Sequence, residues 1–353
     1  MIEGLEHILE GNGELGLPEL RGALRELLDG PAATGHVLDQ HRLKSGVYRL
    51  RFEVNGRVCS LVVKAMAPEI AQRNWLVMKR WLPAVDLSES APLLLDSVAE
   101  RRGQCVWHIY EDLGDWALDA SEPDRERVRA VVELVARIHA RFAGHPLLPE
   151  CRLHGGDLGI YFYTSNVGDA IRCLDALRAP AITLSAERLA LRDRLLERLY
   201  KLLNERPYRA QALAELGGPA TFLHGDLWTT NTFVLPTAHG FEARLVDWDR
   251  AGVGPVSYDL SMFLLRFPAH HRSWILELYR KAVEPLGWRL PSQQDLNLVF
   301  ETAECARFAN CAIWPALALL RDGSDWAFNQ LAAIQQCFET LEPVLPGVEK
   351  ATA

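Results

Sequence analysis

Asp226, Asn231, Asp247 and Lys64 have the types and spacing to orient a hydroxyl and to hold Mg²⁺ on a polyphosphate. Asp226 follows His224-Gly225 on a short loop after an apolar run, and Asn231 comes five residues later. A second apolar run, Ala243 to Val246, ends on Asp247. Two strand-like runs thus each deliver a carboxylate at or just past their ends, with an amide between. A carboxylate on such a loop can accept a proton from an attacking hydroxyl once its orientation is fixed. Mg²⁺ prefers octahedral oxygen ligands and usually takes one or two protein groups, with phosphate oxygens and water supplying the rest. One Asp and one Asn meet that need. Upstream, the run Leu61-Val62-Val63 ends on Lys64. An ammonium on a buried-looking strand is costly unless paired, and a nucleotide phosphate is a natural partner.

The elements that must position these residues follow from periodicity. Residues 37–43 predict a strand, Lys44-Ser45-Gly46 a break, and Val47 to Val54 a half-buried strand of alternating apolar and polar residues. Asn55-Gly56 is a strong hairpin signal, and Val58 to Val63 is the return strand, ending on Lys64. Pro68 opens a helix over 68–82. Leu93 to Val98 and Gln104 to Ile109 add two strands, and residues 111–114 close this part as a linker. From Pro123 the pattern is helical, with Val128, Val131, Val132, Val135 and Ile138 on one face. Residues 144–185 are less regular, 186–204 form a charged helix, and helices are expected near 258–267, 272–286, 293–320 and 325–342. Residues 1–35 carry a short helix from Pro18 to Leu28 that stops at Gly30-Pro31, and read as an embellishment. The class is α+β, in three parts: an N-terminal extension (1–35), a strand-rich lobe (36–113) and a helix-rich lobe (114–345).

Composition narrows the function. At 353 residues the chain suits two lobes, and 49% hydrophobic with 24% charged residues is ordinary for a globular protein. A net charge of −8 argues against a nucleic-acid partner, which needs a basic footprint. The seven Cys form no CxxC pair and read as buried, reduced thiols. No run of about 18 apolar residues and no basic, apolar leader is present, so a cytoplasmic protein with no membrane partner is expected.

The ordered set His224-Gly225-Asp226, Asn231 and Asp247 resembles the aminoglycoside phosphotransferase and choline kinase-like family, whose fold is similar to that of protein kinases. Residues 135–142 (VARIHARF) resemble the family's helix ending in Leu-His-Ala, and 246–264 resemble its metal-binding segment followed by a Tyr-Asp-Leu helix start. The HGDLW run at 224–228 is similar to ecdysteroid kinase-like members. The resemblance spans roughly 36 to 340. It implies a two-lobe protein-kinase-like fold and an ATP-dependent phosphotransferase, with GTP as the alternative donor, Mg²⁺ as cofactor and a small-molecule alcohol as acceptor. In that case Asp226 is the catalytic base, Asn231 and Asp247 are the metal ligands, and Lys64 binds the α- and β-phosphates. Ser45 and Gly46 belong to a loop covering the phosphates, and Glu111 and Leu113 belong to a hinge whose backbone meets adenine. His224 and Asp259 brace the catalytic loop. The family's N-lobe helix usually supplies a Glu to the Lys. Here the helix carries QRNWLVMKRW in that register, and Glu69 in the first turn is the acidic residue on offer. Glu69 could instead simply favour the positive helix N-terminus.

Blander readings compete at each position. A single Asp beside Gly or Asn is often a cap or turn residue, and Asp259 would make a good N-cap. His154-Gly155-Gly156-Asp157 mimics the catalytic motif but lacks the Asn, since Phe162 stands there; it reads as a loop. Trp314 and Trp326 read as core or pocket wall. Glu301, Glu304, Asp322 and Asp325 could make an acceptor pocket acidic, which would suit an amino sugar or a quaternary amine; on solvent faces they would mean nothing. Two rival functions remain: a catalytically inactive kinase-like module that binds nucleotide and regulates a partner, and a metal-dependent hydrolase. The first would be marked by loss of the base or a metal ligand, and the second by an HxH or HExxH set. The sequence shows neither mark.

Overall fold

The computed structural model describes residues 2–28, 34–178 and 185–347. Gly30-Pro31, where the first helix was expected to stop, lies outside them. The chain forms two compact units, one of residues up to Leu118 together with Thr230–Arg250, the other of Asp119–Thr229 together with the chain from Ala251 onward. Residues 230–250 thus group with the strand-rich part, although they lie well inside the helical part in sequence.

The first unit is built on a six-stranded sheet in the order β1-β2-β3-β4-β6-β5. Its strands are β1 (Ile2–Glu3), β2 (Gly35–Lys44), β3 (Val47–Val54), β4 (Arg57–Met66), β5 (Leu94–Ala99) and β6 (Val106–Glu111). Ser45-Gly46 turns β2 into β3, with Gly46 at φ 68°, and Asn55-Gly56 turns β3 into β4 with φ 51° and 72°. Positive φ at both central residues suits the right-handed twist of a tight hairpin. Lys64 lies two residues inside the end of β4, not at its end as expected, and pairs across with His108 of β6. Alternation then sorts the two sheet faces. Tyr48, Leu50, Phe52, Val63, Trp107 and Ile109 share one core with Leu20 and Leu24 of helix α1 (Leu17–Leu28) and with Ile2. The N-terminal segment is therefore no embellishment. Its strand β1 joins the sheet parallel to β2, and α1 covers an apolar face that would otherwise meet water.

Helix α2 (Pro68–Leu76) gives way to a single π turn over Val77–Trp81, closed by Leu82 N–H to the Val77 carbonyl at 3.0 Å. The one helix expected over 68–82 is thus two pieces. Strands Thr232–Thr237 and Gly240–Leu245 form a hairpin in register Thr232 to Leu245. At its open end the Val246 N–H donates to the Asn231 carbonyl at 3.0 Å. That bond is why an amide and a carboxylate sixteen positions apart in sequence come to lie side by side.

The second unit is helical: α3 (Arg125–Phe142), α4 (Leu148–Gly155), α5 (Ile160–Ala176), α6 (Ala186–Asn204), α7 (Arg206–Leu216), α8 (Ser257–Leu265), α9 (Ala269–Val283), α10 (Gln293–Asp322) and α11 (Trp326–Glu339). Asp124 caps α3 by accepting from Arg127 N–H. The 144–185 segment, expected to be irregular, holds two helices. Ile160, Tyr163, Val167, Ala170, Ile171 and Leu174 do recur at helical spacing, but Thr, Ser, Asn and Gly between them dilute the pattern. His154 and Gly155 end α4 and are not loop residues. Ala306, Ala309, Ala312 and Ala316 of α10 let α5 approach closely in a core with Val167, Leu174, Leu195 and Leu199. Strands Thr221–Leu223 and Gly252–Gly254 pair antiparallel beside this core.

Three smaller expectations change. Cys311 and Cys337 are exposed, and none of the seven thiols is in a disulfide. Trp314 and Trp326 are exposed rather than core. Among the described residues, no helix is long and apolar enough to cross a membrane.

Candidate functional site

In the first unit a cavity of about 440 Å³ is lined by Lys64, Glu111, Leu113, Asn231 and Asp247, together with apolar Val47, Val62, Met78 and Phe233. A volume of this order suits a small organic ligand. Ser45 and Gly46 are not on its wall. They form the hairpin tip, and the Gly46 carbonyl accepts from Ala65 N–H at 2.8 Å. Their neighbours Lys44 and Val47 line the cavity instead.

Lys64 is buried and reaches two carboxylates, Asp247 Oδ1 and Asp249 Oδ1, each at 2.5 Å. Lys44 also donates to Asp247. Burial alone would raise the Asp247 carboxyl's pKa, but Lys64 and Lys44 outweigh it and hold the group well below the ordinary carboxylate range. Asp247 is therefore an anion with two cations on it. Its backbone sits at φ 67°, a left-handed conformation that a non-glycine residue adopts at a cost. The residue sequence reasoning proposed for Lys64 from α2 does not serve. Glu69 is exposed in the first turn of the helix, and α2 instead supplies Asn74, whose Nδ2 donates to Asp249 Oδ1 at 2.9 Å. Sequence reasoning missed Asp249, Asn74 and Lys44. The spacing Asp-Trp-Asp after the second apolar run was the available signal for Asp249.

Behind Lys64, His108 is buried, with Nδ1 on the Tyr110 hydroxyl at 2.8 Å and Nε2 without a hydrogen-bond partner among the described residues. Burial, aided by the Lys64 charge, lowers its pKa to about 4. The folded value lies below the unfolded one, so below pH 6.5 the unfolded chain takes up a proton that the folded chain refuses. Stability should fall by up to about 3 kcal/mol between pH 6.5 and 4 from this group. Urea unfolding at pH 7 and 4.5 checks this: His108→Gln should lose less stability than wild type over that interval, and equal losses would refute it.

Residues 111 and 112 are tied in place by arginines. Arg49 pairs with Asp112 at 2.8 Å, and Arg244 pairs with Glu111 at 2.6 Å. The Glu111 N–H already donates to the Leu93 carbonyl at 3.1 Å, and Glu111 Oε1 accepts from Leu93 N–H at 2.7 Å. The Glu111 amide is thus occupied within the sheet.

In the second unit the His224-Gly225-Asp226 loop is fixed from beneath. Asp259 accepts from the backbone N–H groups of His224 at 2.7 Å and Gly225 at 2.9 Å, and lies 3.4 Å from His139 Nε2. It is the third residue of α8, not its N-cap. Burial raises the Asp259 carboxyl, but the bond from His139, the His139 and His224 charges and the Gly225 amide bring it below its ordinary value. His224 is buried, and its Nδ1 faces Asp226 N–H at 3.3 Å. The Asp226 carbonyl accepts from Trp228 N–H at 2.8 Å. Arg266 stacks on Trp228 with its guanidinium carbon 3.9 Å from the ring centroid. Asp157 of the mimic motif accepts from Gly159 N–H and pairs with Arg152 at 3.1 Å, a local bracing role.

The acids offered for a cationic acceptor are taken. Glu301 pairs with Arg209 at 2.9 Å, Asp325 with Arg188 at 2.7 Å, and Glu304 with Arg307. The Asp322 side chain lies outside the described residues.

Asp247 and Asn231 offer a carboxylate and an amide oxygen from one cavity wall, a donor set of the hard-oxygen kind that Mg²⁺ takes. Among the described residues no group of three or more His, Cys, Asp or Glu could hold a metal ion. An amide and a carboxylate would fill two of the six positions of such a cation and leave the rest to ligand or water oxygens.

Comparison with known proteins agrees with this architecture. A family model described as the phosphotransferase enzyme family matches residues 39–292, well over half of the chain. Among solved structures, the chain is similar to an ethanolamine kinase of Plasmodium vivax (11% identity, 97% of this chain and 98% of that one, TM-score 0.58). It is also similar to a spectinomycin phosphotransferase solved with AMP (10%, 87% and 94%, TM-score 0.56) and to a choline kinase of Streptococcus pneumoniae (13%, 91% and 98%, TM-score 0.52). At these identities the likeness is one of fold. No curated protein matches the chain by sequence. The matched segment contains the hairpin, the cavity lysine and both carboxylate-bearing loops, and the chain belongs to the phosphotransferase enzyme family, with the α+β fold of the protein-kinase-like small-molecule kinases.

Proposed function

We propose that the protein transfers the γ-phosphoryl group of MgATP to a hydroxyl of a small molecule. The observation that carries this is the wall of the first unit's cavity, where Lys64, Asn231 and Asp247 stand together beside the hinge residues. Adenine would lie against Val62, Met78 and Phe233, near Leu113. Lys64 would bind the α- and β-phosphates, and Lys44 would add a second cation at the same end. Asn231 and Asp247 would hold Mg²⁺. Bound there, the ion would neutralise phosphate charge.

Asp226 would accept the proton of the acceptor hydroxyl as that oxygen bonds to the γ-phosphorus and the bond to the β-phosphate oxygen breaks, releasing ADP. The bracing of its loop by Asp259 and His224 supports this role, because a general base acts only from a fixed position. Choline, ethanolamine and spectinomycin are alcohols phosphorylated by structural relatives, and the acceptor is of this broad class. The ion pairs of Glu301, Glu304 and Asp325 give no support to an acidic acceptor pocket. The HGDLW likeness leaves polycyclic alcohols on the panel as well.

A thermal-shift titration with ATP and GTP, each with and without Mg²⁺, followed by ADP release over an alcohol panel, tests the proposal. A ligand at 100-fold over its Kd should stabilise the fold by about 2.7 kcal/mol. Turnover on one acceptor supports transfer. Binding without turnover on any would favour the inactive module.

A further inference from the structure

We propose that Asp249, braced by Asn74, is the positioning residue for Lys64: it is the carboxylate that keeps the ammonium aimed once Asp247 turns to a metal ion. This rests on the nucleotide role of the cavity given above.

The two carboxylates on Lys64 are not equivalent. Asp247 lines the cavity and is shared with Lys44. Asp249 is absent from the cavity wall and is held from behind by α2. The Asn74 Nδ2 group donates both to Asp249 Oδ1 at 2.9 Å and to the Ile70 carbonyl at 3.0 Å, so both of its hydrogens are committed and its amide plane is set. Arg73, one residue earlier, donates to the Asp249 backbone carbonyl. Asn74 is only 2% exposed and Lys64 9%, while the Asp249 side chain keeps 33% of its surface, so the bonds are buried on the lysine and helix side.

A buried ammonium needs a counter-charge at all times, because leaving it alone costs several kcal/mol. Asp247 can answer it only while its oxygens are free of other cations. An oxygen that coordinates Mg²⁺ has less charge to offer a lysine, and Lys64 would then swing toward whatever anion remained. Asp249 supplies that anion from a fixed point. The amide at position 74 fits this arrangement better than an acid would. A carboxylate there would face that of Asp249 across hydrogen-bond distance and repel it, whereas Asn74 donates. Glu69 is exposed in the first turn of the helix.

The test separates the two carboxylates by their dependence on Mg²⁺. Calorimetric titration of ATP into Asp249→Asn should show affinity within about twofold of wild type without Mg²⁺, since Asp247 still answers Lys64. With Mg²⁺ the Kd should rise roughly tenfold. The isosteric exchange Asn74→Asp with Asp249→Asn returns the charge to the cluster from the helix side, and should recover MgATP affinity to within about threefold of wild type. A structural role alone would weaken binding equally with and without Mg²⁺ and would gain nothing from the exchange. The proposal is overturned by an Asp249→Asn variant whose loss ignores Mg²⁺, by one with no loss, or by a folded double variant that stays as weak as the single one. A wild-type protein that binds no ATP under either condition would overturn the nucleotide role itself, which is a separate result.

Discussion

Replacing Asp226 by Ala is expected to lower phosphoryl transfer by about three orders of magnitude while leaving MgATP affinity within roughly twofold of wild type. The expectation follows from where Asp226 stands. It is on the His224-Gly225-Asp226 loop of the second unit, and it is not among the residues that line the cavity of the first. In the proposed reaction its loss would remove the proton acceptor and the group that orients the attacking oxygen, and would take nothing from the phosphate contacts proposed for Lys64. Removing a general base costs typically a factor of 10² to 10⁴. The measurement is ADP release from MgATP on the acceptor that the panel yields, paired with a binding titration of the same variant. Near wild-type turnover would show that another group takes the proton. A parallel loss of affinity would show that Asp226 acts on the nucleotide instead.

The second large effect is on stability. Asp259→Ala should destabilise the protein by about 3–5 kcal/mol, with loss of transfer even where the chain stays folded. The carboxylate is buried and accepts two backbone N–H groups, from His224 and Gly225, with His139 beside it. Alanine leaves those donors with no acceptor, and each unsatisfied buried donor costs about 1–3 kcal/mol. The same bonds give a pH signature. The folded carboxyl titrates below its unfolded value, so its contribution is present above the unfolded pKa and is lost as pH falls through the folded one. Chemical unfolding of wild type and Asp259→Ala at pH 7 and pH 3 reads both effects. The gap between the two proteins should be wide at pH 7 and narrower at pH 3, and a small gap at pH 7 would remove Asp259 from its bracing role.

What could be read from the chain alone divides along physical lines. Lys64, Asn231 and Asp247 were legible because their types are few and their order is fixed by two apolar runs. The hairpin turns were legible because Asn55-Gly56 demands positive φ at both positions. The partner of Lys64 was not legible. It depends on how closely α2 approaches residues 247–250, a tertiary fact with no local period, and Glu69 was the one acid that the helix itself offered. The pairing of Glu301 was hidden for the same reason. Arg209 and Glu301 are 92 residues apart, and no pattern in either stretch announces their ion pair. The N-terminal segment read as an embellishment, since nothing local shows where the apolar residues around its one short helix pack. They complete the sheet's core and make none by themselves. Helices α4 and α5 were hidden by polar and glycine residues that helix periodicity discounts.

The central claim is that the first unit's cavity is a MgATP site built on Lys64 and Asp247. Isothermal titration of ATP into wild type, Lys64→Ala and Asp247→Ala, with and without Mg²⁺, tests it most directly. The expected result is one saturable site in wild type that tightens with Mg²⁺. Asp247→Ala should lose that tightening, and Lys64→Ala should weaken binding under both conditions. Binding to wild type that neither variant alters, or no binding at millimolar nucleotide, would contradict the claim.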